Sequence, residues 1–182
     1  MKSLEEKYML LALKEAKKAE AKDEVPVGCV LVENGVVIAR AHNLRESKKK
    51  AIAHAEILAI NKANKKKNSC RLENVEMYVT LEPCPMCAGA ILQSRIKKVV
   101  FGANDIKGGA LGSSFNLFEQ KNLNHHPEIK SGVLQEECSQ ILKNYFKNKR
   151  KWHTNLGGNV CLFLRNLLDF LLLLDLFLFY LA

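Results

Sequence analysis

Apolar residues recur at helical spacing at the start of the chain. Leu4, Tyr8, Leu11, Ala12, Ala16 and Ala19 make one broad stripe with lysines around it, which predicts an amphipathic helix over 3–22, ended by Val25-Pro26. The period then shortens. Val27–Val32 and Val36–Ala39 are short β-rich runs separated by Glu33-Asn34-Gly35. An Asn-Gly pair tolerates the positive φ of a tight hairpin, so these runs are expected to pair antiparallel. Beyond a polar connection at 44–50, a second helix over 53–65 has Ile57, Leu58 and Ile60 to bury. A third strand is expected at 76–80, a third helix at 85–94 with Pro85 just inside its start, and a fourth strand at 98–101.

Residues 102–112 are glycine-rich and too irregular for an element, which suggests a loop near a site. A last amphipathic helix over 134–149 offers Leu134, Cys138, Ile141, Leu142 and Tyr145 as its buried side. Strand, helix, strand succession makes the second and third helices crossovers on a sheet face. The expectation is an α/β fold, a three-layer α/β/α sandwich with a five-stranded mixed sheet whose fifth strand the pattern does not place.

A chain of 182 residues holds one domain with a substantial core, and two would be crowded. We expect a catalytic domain over 1–154 and a hydrophobic C-terminal extension over 155–182. Lys and Arg number 28 against 19 Asp and Glu, a formal net charge of +9. The excess sits in runs at 14–22, 45–50, 62–67 and 143–151, which suits either a polyanion such as nucleic acid or a solvated surface. The amino terminus has no apolar signal core, Cys29 and Cys138 lie in apolar periodic segments, and Cys84 and Cys87 are better used as metal ligands, so a reducing cytoplasm is expected.

The tail differs in kind. Residues 160–182 are almost wholly Leu and Phe, interrupted by Arg165, Asn166, Asp169 and Asp175. Such a segment has the length to cross a bilayer, but its charges nearly cancel the gain from insertion. Three readings stay open for it: a peripheral or membrane-inserted anchor, a helix docked on the body or a partner, and a non-native or frame-shifted extension irrelevant to catalysis.

The chemistry concentrates in two short segments, Pro83-Cys84-Pro85-Met86-Cys87 and, upstream, His54-Ala55-Glu56. Cys84 and Cys87, three apart at a helix start, present both thiolates on one face, where the helix dipole favours their charge. His54 supplies a nitrogen as third ligand. Three protein ligands leave a fourth tetrahedral position for water, whose pKa zinc lowers toward neutrality. Glu56 is then a proton shuttle rather than a ligand. Alone, a Cys-x-x-Cys also fits a redox pair or a structural half-site. A second Cys-x-x-Cys is lacking, and a proline precedes Cys84 with the distant His-x-Glu beside it, which favours a catalytic ion. His42 reads as a local or core histidine, and His125, His126 and His153 have no ligand spacing.

These residues closely resemble the bacterial tRNA-specific adenosine deaminases of the cytidine deaminase-like superfamily. The likeness runs over about residues 4–149. It includes Val25-Pro26-Val27-Gly28, Ala41-His42-Asn43, Ala53-His54-Ala55-Glu56, Tyr78-Val79-Thr80-Leu81-Glu82-Pro83-Cys84, Met86-Cys87-Ala88-Gly89-Ala90 and Gly102-Ala103-Asn104-Asp105. Pro85, a second proline between the cysteines, is a departure, and the 160–182 tail lies outside the likeness. The resemblance implies a zinc-dependent homodimer, one ion per subunit, that converts adenosine to inosine at the wobble position of a tRNA anticodon, chiefly an arginine tRNA.

By the same likeness, Asn43 bonds the flipped base with Val27 against it, and Ala55 gives a backbone N–H to the base edge. Asp105 lies near the ribose 2′-hydroxyl and Lys107 beside the backbone. Asn122, Asn124, His125 and Phe146 fall at neighbouring anticodon-loop nucleotides. Blander readings stand beside these: a turn residue for Asn43, a loop-capping Asp105, a solvated Lys107 and a core Phe146. Two other functions compete. One is a cytidine, deoxycytidylate or guanine deaminase acting on a free small molecule, since the same zinc and Glu56 serve both ring types. The other is a non-catalytic zinc-stabilised nucleic-acid-binding protein, which would have no use for Glu56.

Overall fold

Helix α1, Leu4–Glu20, starts where Ser3 can cap it. Ser3 Oγ accepts from Glu6 N–H at 3.2 Å and Glu6 Oε2 accepts from Ser3 N–H at 2.7 Å, a reciprocal capping box. The computed structural model describes residues 2–150. After α1 come β1 (Gly28–Glu33), β2 (Val36–His42), a short α2 (Arg45–Lys48), α3 (Ala55–Lys67), β3 (Val75–Leu81), α4 (Pro85–Gln93), β4 (Lys98–Ala103) and β5 (Glu128–Lys130). A 3₁₀ turn, Leu117–Glu119, precedes β5, and residues 135–150 form α5. The hairpin between β1 and β2 turns through Asn34 and Gly35 at φ 49° and 78°, as the Asn-Gly pair implies.

The sheet runs in the order β2-β1-β3-β4-β5. β1 is antiparallel to both its neighbours, whereas β3, β4 and β5 pair in parallel. Thus β2, β3, β4 and β5 share one direction, and β1 alone is reversed. α3 carries the chain from β2 across β1 to β3, and α4 links β3 to β4.

Alternation along the strands builds two apolar layers. Cys29, Leu31, Met77, Val79, Val99 and Phe101 meet Ala55, Ala59, Ile60 and Ala63 of α3 and Ala88 and Ile91 of α4 on one face. On the other, Val30, Val32, Tyr78 and Val100 meet Met9, Ala12 and Leu13 of α1 and Cys138 of α5. Residues such as Leu31, Met77, Ile91 and Met9 are fully buried, each stabilising the fold by about 1.5–3 kcal/mol through apolar burial. Alanines form the buried stripe of α3, while Ile57 and Leu58 are only half-buried. Gly28 marks the closest approach of α1 to the sheet. A Cβ there would lie 2.0 Å from the carbonyl oxygen of Ala12 and 2.5 Å from the nitrogen of Ala16.

The chain divides into a unit ending at Lys143 and a second beginning at Asn144. In the second, the rings of Tyr145 and Phe146 meet edge-on at 5.4 Å, and Lys149 Nζ sits 5.8 Å from the Tyr145 ring centre. The expected boundary at 154–155 and the three readings of residues 160–182 lie outside the described residues. Among the described residues, no helix is long and apolar enough to cross a membrane.

Candidate metal centre

Because β2 and β3 run the same way, the helices that follow them, α3 and α4, both begin at one end of the sheet. His54 is the N-cap of α3 and Cys84 the N-cap of α4, with Cys87 one turn further on. Neither N-cap side chain bonds the helix it starts, so the imidazole and the thiol are left to face each other. His54 Nδ1 lies 3.7 Å from Cys84 Sγ and 3.6 Å from Cys87 Sγ. Tetrahedral zinc with ordinary Zn–S and Zn–N bonds sets such nitrogen–sulfur separations at about 3.6 Å. The three donor atoms all lie within 4.8 Å of one another. Donor chemistry, spacing and two converging helix N-termini fit a divalent, thiophilic ion.

The thiols are strongly coupled. Cys84 is pulled down to about 4, chiefly by the hydrogen bond from Cys87 and then by His54, against the opposing effect of burial. Cys87, which donates that bond and is buried, moves up. His54 is raised, first by its contact with Cys84.

Glu56, one residue into α3 beyond Ala55, is 4% exposed. Its Oε2 has no hydrogen-bond partner; among the described residues only Asn64 Oδ1 shares that condition. Burial raises the Glu56 pKa, opposed by its own backbone N–H and by His54. A buried, unpartnered carboxylate oxygen beside a three-donor cluster is costly to keep for folding alone.

Around this centre, Asn43 is buried and its Oδ1 accepts from Ala55 N–H at 2.9 Å. The Ala55 N–H is thus engaged within the chain. Val27 is 5% exposed, and its carbonyl accepts from Asn43 N–H at 3.1 Å. Asp105 Oδ1 accepts from the N–H groups of Lys107 and Gly108, both at 3.1 Å, so this side chain does cap its own loop. Lys107 is exposed.

The remaining expected residues lie elsewhere. Asn122, Asn124 and His125 line a cavity of about 120 Å³ with Leu92, Gln93 and Arg95, at the carboxyl end of α4. The nine residues of α4 span about 13 Å, which separates that cavity from the cysteines within one chain. His125 Nε2 is bonded to the carbonyl of Ile96 at 2.6 Å, and Arg95 donates to the carbonyl of Asn124. Phe146 is 44% exposed rather than core.

Two carboxylates escaped the sequence reading. Glu82, between β3 and Cys84, binds the 105–113 loop through backbone N–H groups. Glu15 of α1 accepts from Lys18 and lies 3.0 Å from His42 Nδ1, so His42 is a local histidine clamped to α1. For Glu82 the available signal was an acidic residue directly after the apolar run of β3; for Glu15, it was a place on the buried stripe of α1.

Comparison with known proteins adds five findings. The cytidine and deoxycytidylate deaminase zinc-binding region matches residues 2–103. The chain is 57% identical over 147 residues to the tRNA-specific adenosine deaminase of Bacillus subtilis, covering 81% of this chain and 91% of that protein. It is 46% identical over 145 residues to that of Aquifex aeolicus, covering 80% and 95%. A solved structure from studies of A-to-I editing by tRNA:A34 deaminases at the wobble position of transfer RNA is 45% identical with a TM-score of 0.73, over 75% of this chain and 99% of that one. Guanine deaminase from Nitrosomonas europaea aligns at 25% identity and a TM-score of 0.67, over 77% and 83%.

Proposed function

Since this chain belongs to the tRNA-specific adenosine deaminases, within the cytidine and deoxycytidylate deaminase family, we propose that it hydrolyses adenosine to inosine at the wobble position of a tRNA anticodon. The substrate is chiefly an arginine tRNA and the enzyme a cytoplasmic homodimer with one zinc ion per subunit, as its likeness to the family implies. The observation that carries the reading is the unpartnered, buried Oε2 of Glu56 beside His54, Cys84 and Cys87.

His54, Cys84 and Cys87 hold the ion. When bound, it supplies the Lewis acidity that lets water attack at neutral pH. Glu56 would accept one proton from the attacking water at Oε2 and deliver it to the ring nitrogen beside the attacked carbon, then take the second proton from the added hydroxyl and pass it to the departing amine. The water oxygen becomes the carbonyl of inosine and ammonia leaves, with no oxidant or reductant. Asn43, its Oδ1 held by Ala55 N–H, offers Nδ2 to an acceptor on the purine, and Val27 forms the apolar wall against it. Asp105 accepts from the ribose 2′-hydroxyl and Lys107 neutralises a phosphate. Asn122, Asn124, His125 and Phe146 meet the neighbouring nucleotides. The net charge of +9 supports a polyanionic substrate over a free base.

A synthetic RNA anticodon stem-loop with adenosine at the wobble position tests this, beside its DNA counterpart and free adenosine, cytidine and guanine. Inosine is expected in the RNA stem-loop alone. Turnover of free cytidine or guanine with an untouched stem-loop would overturn the substrate in favour of a small-molecule deaminase.

A further inference from the structure

Glu82 is 2% exposed, and its carboxylate is directed at one loop. Oε2 accepts from the N–H of Asp105 at 3.1 Å; Oε1 accepts from the N–H groups of Leu111 and Ser113, each at 3.0 Å. Beside it, the carbonyl of Pro83 accepts from Ala110 N–H at 2.9 Å. The two residues immediately before Cys84 therefore tie down residues 105–113 at four points. Gly109 completes the fit. A Cβ at that position would lie 2.4 Å from Glu82 Cδ and 2.5 Å from Oε2, so only glycine admits the carboxylate. Charge-assisted bonds to backbone N–H groups in a buried place are the strong kind.

What this holds in place is Asp105. Its Oδ1 is engaged by Lys107 and Gly108 N–H, leaving Oδ2 for a donor from outside the loop. We propose that Glu82 is a positioning residue for sugar discrimination: by gripping the N–H of Asp105, it sets that carboxylate against the 2′-hydroxyl of the target nucleotide, and so governs preference for ribose over deoxyribose. The proposal rests on the reading of Asp105 as the ribose contact. A group that must accept from a hydroxyl rejects the deoxy analogue only while its geometry is fixed.

Glu82→Gln is a selective perturbation. The amide keeps the shape of the carboxylate, and its one oxygen serves best where two donors meet, at Leu111 and Ser113. Its NH₂ then faces the Asp105 N–H, donor against donor, which frees Asp105 while the far side of the loop stays tied. Gly109→Ala disturbs the same contact from the opposite side with Glu82 intact.

The experiment uses the full-length zinc-loaded protein and two stem-loops that differ only in ribose or deoxyribose at the target adenosine. It measures kcat, KM and Kd for each, with zinc content and Tm as controls. Glu82→Gln and Gly109→Ala are each expected to lower the ribose preference in kcat/KM by about tenfold, through KM and Kd for the ribose substrate, with kcat within about twofold. Asp105→Asn sets the reference. If Asp105→Asn leaves the preference unchanged, the reading of Asp105 fails, and this proposal with it. If Asp105→Asn lowers it while Glu82→Gln and Gly109→Ala keep the full preference, the positioning role alone is overturned. Equal losses on both sugars, or loss of zinc by both variants, would make Glu82 merely structural and also overturn it. Should one variant lose zinc, the other decides.

Discussion

Replacing Glu56 by Gln removes a proton acceptor and almost nothing else. In the fold the effect is small: Oε2 has no partner, so an NH₂ in its place exchanges one unsatisfied buried group for another, and no hydrogen bond at that atom is lost. The stability change should stay below about 1 kcal/mol. In the reaction the loss is large. A positioned general acid–base contributes roughly 10²–10⁴ in rate, or about 3–5.5 kcal/mol of barrier. The two magnitudes separate catalysis from structure. Single-turnover deamination of the RNA stem-loop should fall by about that factor, with Kd for the RNA and zinc content at wild-type levels. Turnover within about tenfold of wild type, at full zinc occupancy, would refute the shuttle.

Glu24, 1% exposed, accepts from Glu46 N–H, Ser47 N–H and Ser47 Oγ at 3.0, 2.6 and 2.7 Å, and so anchors α2 ahead of His54. Glu24→Gln should cost about 2 kcal/mol at neutral pH, lowering Tm by about 4–8 °C. Burial alone would push this carboxyl up, but the bonds from Ser47 and Glu46 outweigh it and hold it below its ordinary value of 4.5. A lowered folded pKa gives stability that is present above the unfolded value and lost as pH falls through the folded one. The gap between wild type and Glu24→Gln should therefore narrow on acidification below 4.5; a Tm difference that persists undiminished into strong acid would contradict this. Cys87→Ser should shed its metal and melt earlier, and full zinc occupancy by metal analysis would remove Cys87 from the ligand set. Gly28→Ala forces a Cβ to within 2.0 Å of the α1 backbone. Denaturant titration should find it about 1–3 kcal/mol less stable, and an unchanged midpoint would mean that α1 can slide.

The elements with a clear period were legible in the sequence. α1, the Asn-Gly hairpin, and α4 with Pro85 at its start form where the apolar spacing and the turn residues direct. β5, Glu128–Lys130, was not placed because three residues at a sheet edge, two of them exposed, carry no pattern. α2 was read as a polar connection because none of its residues is buried; its geometry comes from Glu24, a distant carboxylate. At the site, His54, Cys84, Cys87 and Glu56 stood out because metal ligation restricts residue type and spacing. Glu82 did not, since its partners are backbone N–H groups, which every sequence supplies alike. The opposite end of α4, where Asn122, Asn124 and His125 gather, is fixed by topology rather than by spacing.

The single reversed strand, β1, has an evolutionary consequence. Since β2, β3 and β4 point the same way, the connections that leave them open on one rim, and Asn43, His54, Glu82, Cys84 and Asp105 all hang there. Beneath that rim, the aliphatic residues that keep the sheet together take no part in choosing a molecule. Rewriting the three connections can thus retarget the chemistry while the scaffold is inherited intact.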